Sequence, residues 1–238
     1  MRKLLFFLLF AAELTLWMHA DTHPVSDLRR ELEAEALLFE HPEDVEISIQ
    51  ELRGRGAGDK ELSEALLQIA YANVTNANEE SVRSAVCRSA IYWYGRLCPG
   101  DDLTNLLSVA RMATNDLART AVRTYQRRHG DVCGLVAFAG EVFAGVSVEP
   151  LMVSEIWTAL EKEARNGVRS RKSVLAFARR QALNVRAGLY GPDKILMRYD
   201  ADYKGSALCK EVRELVFRLA LTGRLPVSAR TYFNRLEE

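Results

Sequence analysis

Two stretches of this chain repeat one pattern. Val82-Arg83-Ser84-Ala85-Val86 leads to Gly95 and then Cys98, and Ala118-Arg119-Thr120-Ala121-Val122 leads to Gly130 and then Cys133. The first landmark recurs after 36 residues and the other two after 35. A unit of that length holds a pair of helices and is too small to bury its own apolar face, so neighbouring units must stack to make a core. That constraint points to a binding or scaffolding surface rather than a reaction centre.

Composition agrees with a folded helical chain. Apolar residues make up 48% and charged residues 27% of the 238, which excludes wholesale disorder. Only 6 Pro and 14 Gly interrupt it, so long helices are permitted. Apolar spacing predicts helices over 27–39, 43–52, 59–73 and 81–97. It continues with a helix after Pro99-Gly100, then 115–128, 132–146, 153–165, 171–187, 193–199, 208–221 and 228–236. The 132–146 stretch is apolar nearly all round and reads as a helix buried between neighbours. Gly54 to Gly58 reads as a flexible connection and Gly191-Pro192 as a break. No segment alternates with the period of two that a strand needs.

The amino terminus reads as an export signal over residues 1–20. Arg2 and Lys3 precede an apolar run at 4–12, Glu13 interrupts it, and Ala20 offers a small residue before Asp21. The protein is therefore expected outside the cytoplasm, with the signal either cleaved or kept as an anchor. No other segment is long enough to be transmembrane. The remaining organisation is a helical cap and flexible connection over 21–58 and a helical repeat domain over 59–238.

Charge balances overall but not along the chain. Residues 21–64 carry a net charge of −8 and residues 165–238 a net charge of +9. The basic carboxy-terminal third suits an acidic partner. Its Arg residues are spread along helices without interleaved aromatics, which argues against nucleic acid.

The apolar-Arg step followed by a small or apolar pair returns at Arg171 with Ser173-Val174 and at Val212-Arg213 with Leu215-Val216. This order of polar turn, apolar-Arg step and alanine-rich helix resembles the HEAT-like and armadillo-like α-solenoid repeats, best over residues 60–135. The resemblance implies an all-α fold of stacked antiparallel helical pairs with a concave face for protein or peptide contact. An irregular helical bundle is the alternative architecture. The candidate binding residues are the aromatic run Tyr92, Trp93 and Tyr94, with Arg119 and Tyr125.

Cys87, Cys98, Cys133 and Cys209 permit three complete pairings in an exported protein. In a stack, Cys98 and Cys133 follow equivalent helices and fall on one edge in adjacent layers, which nominates them as a disulfide. Cys87 reads as a small buried hydrophobe. A metal site using His129 with these thiols lacks a CxxC pair and a fourth ligand. Asp200, Asp202, Gly205 and Glu211 spell part of an EF-hand calcium loop, but Lys204 places a cation among the ligands.

No nucleophile elbow and no phosphate loop is present, and no cofactor is implied. The pairs Glu79-Glu80 and Asp101-Asp102 sit where helix starts explain them. Asn73-Val74-Thr75 is a glycosylation sequon. The sequence thus supports an exported, non-enzymatic helical-repeat protein that binds a protein or peptide. An exported helical enzyme of unidentified activity and a calcium-responsive helical module remain as alternatives.

Overall fold

The computed structural model describes residues 24–36, 44–75, 82–113, 115–128, 130–145 and 149–225. The expected signal at 1–20, the turn at 76–80, His129 and the helix at 228–236 lie outside the described residues. All the regular structure described is helical, and the fold is all-α. Among the described residues no helix is long and apolar enough to cross a membrane. The chain divides into two compact units, one ending at Cys98 and one beginning at Pro99.

The first unit holds α1 (Val25–Ala36), α2 (Asp44–Gly54), α3 (Asp59–Val74) and α4 (Val82–Leu97). Leu62, Ala65, Leu66, Ile69 and Ala70 recur at helical spacing on α3 and form its buried stripe. That stripe packs along α4, where the small residues Ala90 and Cys87 allow close approach. The Cys87 thiol donates to the Ala70 carbonyl at 3.6 Å, and burial pushes the thiol up to about 12. Leu28 and Leu32 bring α1 onto α3. The first helix of the 21–58 segment thus packs directly on the first helix of the 59–238 region. The glycine-rich connection is ordered: Gly56 adopts a φ of 98°, and Arg53 spans it to reach Asp59 at 2.7 Å. Asn73 of the sequon is also engaged, its amide nitrogen donating to the Ile69 carbonyl at 2.8 Å.

The second unit opens with a 3₁₀ turn (Gly100–Leu103) and continues through α5 (Thr104–Met112), α6 (Asn115–Arg127), α7 (Val132–Ala144), α8 (Pro150–Arg165) and α9 (Val168–Gln181). A 3₁₀ turn (Val185–Ala187), α10 (Tyr190–Tyr199), a third 3₁₀ turn (Tyr203–Gly205) and α11 (Ala207–Leu221) follow. Helix α8 packs against α6, α7, α9 and α10. Its buried residues include Met152, Val153, Ile156, Trp157, Ala159, Leu160 and Ala164, a broad apolar arc. Trp157, Phe143 of α7 and Phe177 of α9 form one three-ring cluster, with centroids 5.5, 5.7 and 6.1 Å apart, and the indole N–H donates to the Ala187 carbonyl at 2.6 Å.

Three sequence expectations shift here. Helix α9 stops at Gln181 instead of running to 187, because Asn184 turns its side chain to the Arg186 N–H at 3.1 Å and starts a 3₁₀ turn. Gly191-Pro192 does not break the chain but lies in the first turn of α10, where a missing N–H costs nothing. Helix α7 is not enclosed: Cys133, Ala137 and Glu141 are exposed.

Gly191 is required by close approach. A Cβ there would sit 2.3 Å from the Trp157 indole. Gly191→Ala is expected to cost about 1–3 kcal/mol in urea unfolding followed by tryptophan fluorescence. Gly205→Ala, which meets nothing within 4 Å, should leave the midpoint close to wild type. Equal midpoints for the two variants would contradict this packing.

Candidate functional site

Three of the five residues that sequence spacing nominated are buried. Trp93 and Tyr94 are core residues of the first unit, and Tyr92 is half-buried with Arg96 donating to its hydroxyl at 2.8 Å. Three consecutive helical positions cannot all face outwards, and here two face in. Tyr125 belongs to the second unit and is also core. Its hydroxyl donates to the Asp131 carbonyl at 2.6 Å, and burial with the nearby Asp131 carboxylate pushes it up to about 12. Arg119 is half-buried and turned along its own helix to Asp116 at 3.2 Å. Trp93, Tyr94 and Tyr125 therefore present no contact surface.

The calcium spelling does not gather. Asp200 accepts from Arg179 at 2.9 and 2.7 Å, and Asp202 and Glu211 are exposed. The 3₁₀ turn that follows drives Tyr203 inward, where its hydroxyl donates to the buried Asp193 at 2.7 Å. Among the described residues no group of three or more His, Cys, Asp or Glu side chains is placed to hold a metal ion. None of the four cysteines is in a disulfide. Cys98 is buried in the first unit and Cys133 is exposed on the second.

A site that spacing did not nominate surrounds α8. Its outer row carries Ser154, Thr158, Lys162 and Arg165, three or four residues apart and all exposed. On one side, α6 contributes Arg123, Gln126 and Arg127 to a groove of 390 Å³ that also takes in Glu155, Thr158 and Lys162. Arg123 pairs with Glu155 at 2.6 Å, and Lys162 donates to the Gln126 amide oxygen at 3.1 Å. On the other side, α10 contributes Lys194 to a cleft of 130 Å³ with Trp157, Thr158, Glu161 and Tyr190.

Glu161 is the pivot of this second side. Its side chain is only 8% exposed, yet it meets three cations. Arg165 and Arg198 each donate to Oε1 at 2.9 Å, and Lys194 donates to Oε2 at 2.7 Å. Burial alone would raise this carboxyl, but the hydrogen bonds from Lys194 and Arg165 hold it below the usual carboxylate range. Tyr199 adds an aromatic face: Arg165 donates to its hydroxyl at 3.2 Å, while Arg171 and Arg198 lie over its ring at 5.4 and 5.5 Å. Arg171 also donates to the Ala164 carbonyl at 3.0 Å, closing the end of α8. The result is a face rich in Arg and Lys in which Glu155 and Glu161 are the paired carboxylates.

Sequence reasoning placed positive charge in this third of the chain but not this cluster. The spacing of Glu161 with Arg165, and of Lys194 with Arg198, is visible as pairs four residues apart. Their convergence depends on α8 and α10 packing, which no local pattern reports. No family model, no curated protein and no solved structure matches the chain.

Two outcomes follow from this geometry. A carboxyl held low in the folded state stabilises fully above the unfolded value of about 4.3, and that contribution fades as pH falls through the lower folded value. Glu161→Gln should therefore lose about 1–2 kcal/mol at neutral pH and show a shallower fall in Tm between about pH 5 and pH 3 than wild type. Parallel Tm curves would contradict it. Separately, Ellman's reagent should titrate Cys133 rapidly in the native protein and all four thiols only after denaturation. Rapid reaction of a second thiol would show the core open.

Proposed function

We propose that this chain is an exported, non-enzymatic helical-repeat protein that docks an acidic segment of a partner protein onto the basic face around α8. The observation that carries the proposal is the positive excess on that face, where Arg123, Arg127, Lys162, Arg165, Arg171, Lys194 and Arg198 are accompanied by only Glu155 and Glu161 as paired carboxylates. Two clefts flank α8, so an extended chain laid along the helix meets cations on both sides. Lys162 and Arg127 take no part in an ion pair among the described residues, which leaves their charge for a ligand. The helix pairs that carry the face are read as degenerate HEAT-like units, an architecture suited to presenting such a surface. The segment at 1–20 is read as what delivers the protein outside the cytoplasm.

Fluorescence polarisation with a fluorescein-labelled decaglutamate peptide tests the reading. Arg127→Glu with Lys162→Glu should weaken binding about tenfold or more. Wild-type affinity should fall as salt rises, because exposed charges are screened. The same reversal on α11, Lys210→Glu with Arg213→Glu, should leave binding within about twofold. Equal losses from both pairs would mean that general basicity and not this face attracts the peptide, and no binding by wild type would remove the reading.

A further inference from the structure

We infer that Arg165, Lys194 and Arg198 form a site for one phosphoryl dianion, the group that fixes an acidic partner on the basic face. The inference rests on that reading and names the chemistry at its most organised point. Arg165 and Arg198 share one oxygen of Glu161, so their nitrogens lie within roughly 6 Å of one another, the sum of two hydrogen-bond lengths, and Lys194 on the other oxygen lies within roughly 8 Å of both. Left alone, three such charges would repel. Glu161 holds them, and because it is buried it approaches from beneath and leaves their outer sides open. The side chains of Arg165, Lys194 and Arg198 are 52%, 44% and 53% exposed.

Charge and donor counts fit the ligand. One carboxylate against three cations leaves an excess of two positive charges. Of the neighbouring acids, Asp200 is taken by Arg179, and Asp193 is buried and turned onto the Tyr203 hydroxyl. Arg165 uses Nη2 on Glu161 and Nε on Tyr199, and Arg198 uses Nη1 on Glu161. Arg198 keeps Nη2, Arg165 keeps Nη1, and the Lys194 ammonium has three N–H donors of which one reaches Glu161. These remaining donors suit the three terminal oxygens of a phosphomonoester, which carries a charge of about −1.5 to −2 at pH 7. A single carboxylate would neutralise only half of the excess. Lys194 also lines the cleft with Trp157 and Tyr190, so the organic part of the ester has an apolar wall beside the charge.

The test uses the full chain and two acidic peptides that differ at one position, phosphoserine in one and glutamate in the other. Inorganic phosphate is added as a competitor. The phosphoserine peptide should bind about tenfold tighter or more at pH 7.5, and its ³¹P resonance should shift on binding. Arg198→Gln should shrink that preference to about threefold or less, and Lys194→Gln serves the same purpose if Arg198→Gln fails to fold. Displacement of the phosphoserine peptide only at a large molar excess of inorganic phosphate supports a phosphorylated partner. Displacement at matching concentrations keeps the dianion site and assigns it to free phosphate. Equal affinity for both peptides, with decaglutamate still bound, overturns the phosphoryl site and leaves the acidic-partner reading standing. Failure of every acidic probe to bind overturns that reading as well.

Discussion

Trp157 sets how close the helices of the second unit come. Its indole packs against both Phe143 and Phe177, which also stack on each other, and its N–H is spent on the Ala187 carbonyl. The first contact draws α7 and α9 onto α8. The second pins the turn before α10, and Gly191 lets α10 slide against the ring because no Cβ stands in the way. With its apolar arc consumed by four neighbours, α8 keeps one outward row.

The electrostatics of that row follow from one buried charge. An apolar residue of similar volume at position 161 would stabilise the fold about as well, since desolvating a carboxylate offsets much of what its partners return. The particular consequence of a carboxylate there is positional: it brings cations from α8 and α10 to one place and keeps their outer faces in water. The pairs Arg111–Glu141, at 2.6 Å, and Arg179–Asp200, at 2.7 Å, are by contrast one-to-one and leave no excess. The face around Glu161 differs from an ordinary solvated helix surface in that imbalance.

Much of the fold was legible in the sequence because helical burial is a local, periodic property. The α3 stripe from Leu62 to Ala70 could be read residue by residue. Where the reading missed, a longer-range contact or a competing local bond decided the outcome. Asn184 ended α9 through its own side chain. Gly191-Pro192 looked like a break but suited the first turn of a helix. Trp93, Tyr94 and Tyr125 looked like binding residues because aromatic density resembles a contact surface, yet their rings are buried in the cores of their units. The calcium spelling failed because its Asp200 had a guanidinium partner 21 residues earlier in the chain. The Glu161 cluster was hidden for the same reason, its members being 33 and 37 residues apart before folding joins them.

The most direct test of the central claim is zero-length carbodiimide crosslinking of an acidic peptide to the native protein, with the joined lysines located by mass spectrometry. The face around α8 predicts crosslinks concentrated at Lys162 and Lys194, and suppressed by salt. Crosslinks spread evenly over Lys60, Lys172, Lys204 and Lys210, or concentrated there, would contradict it.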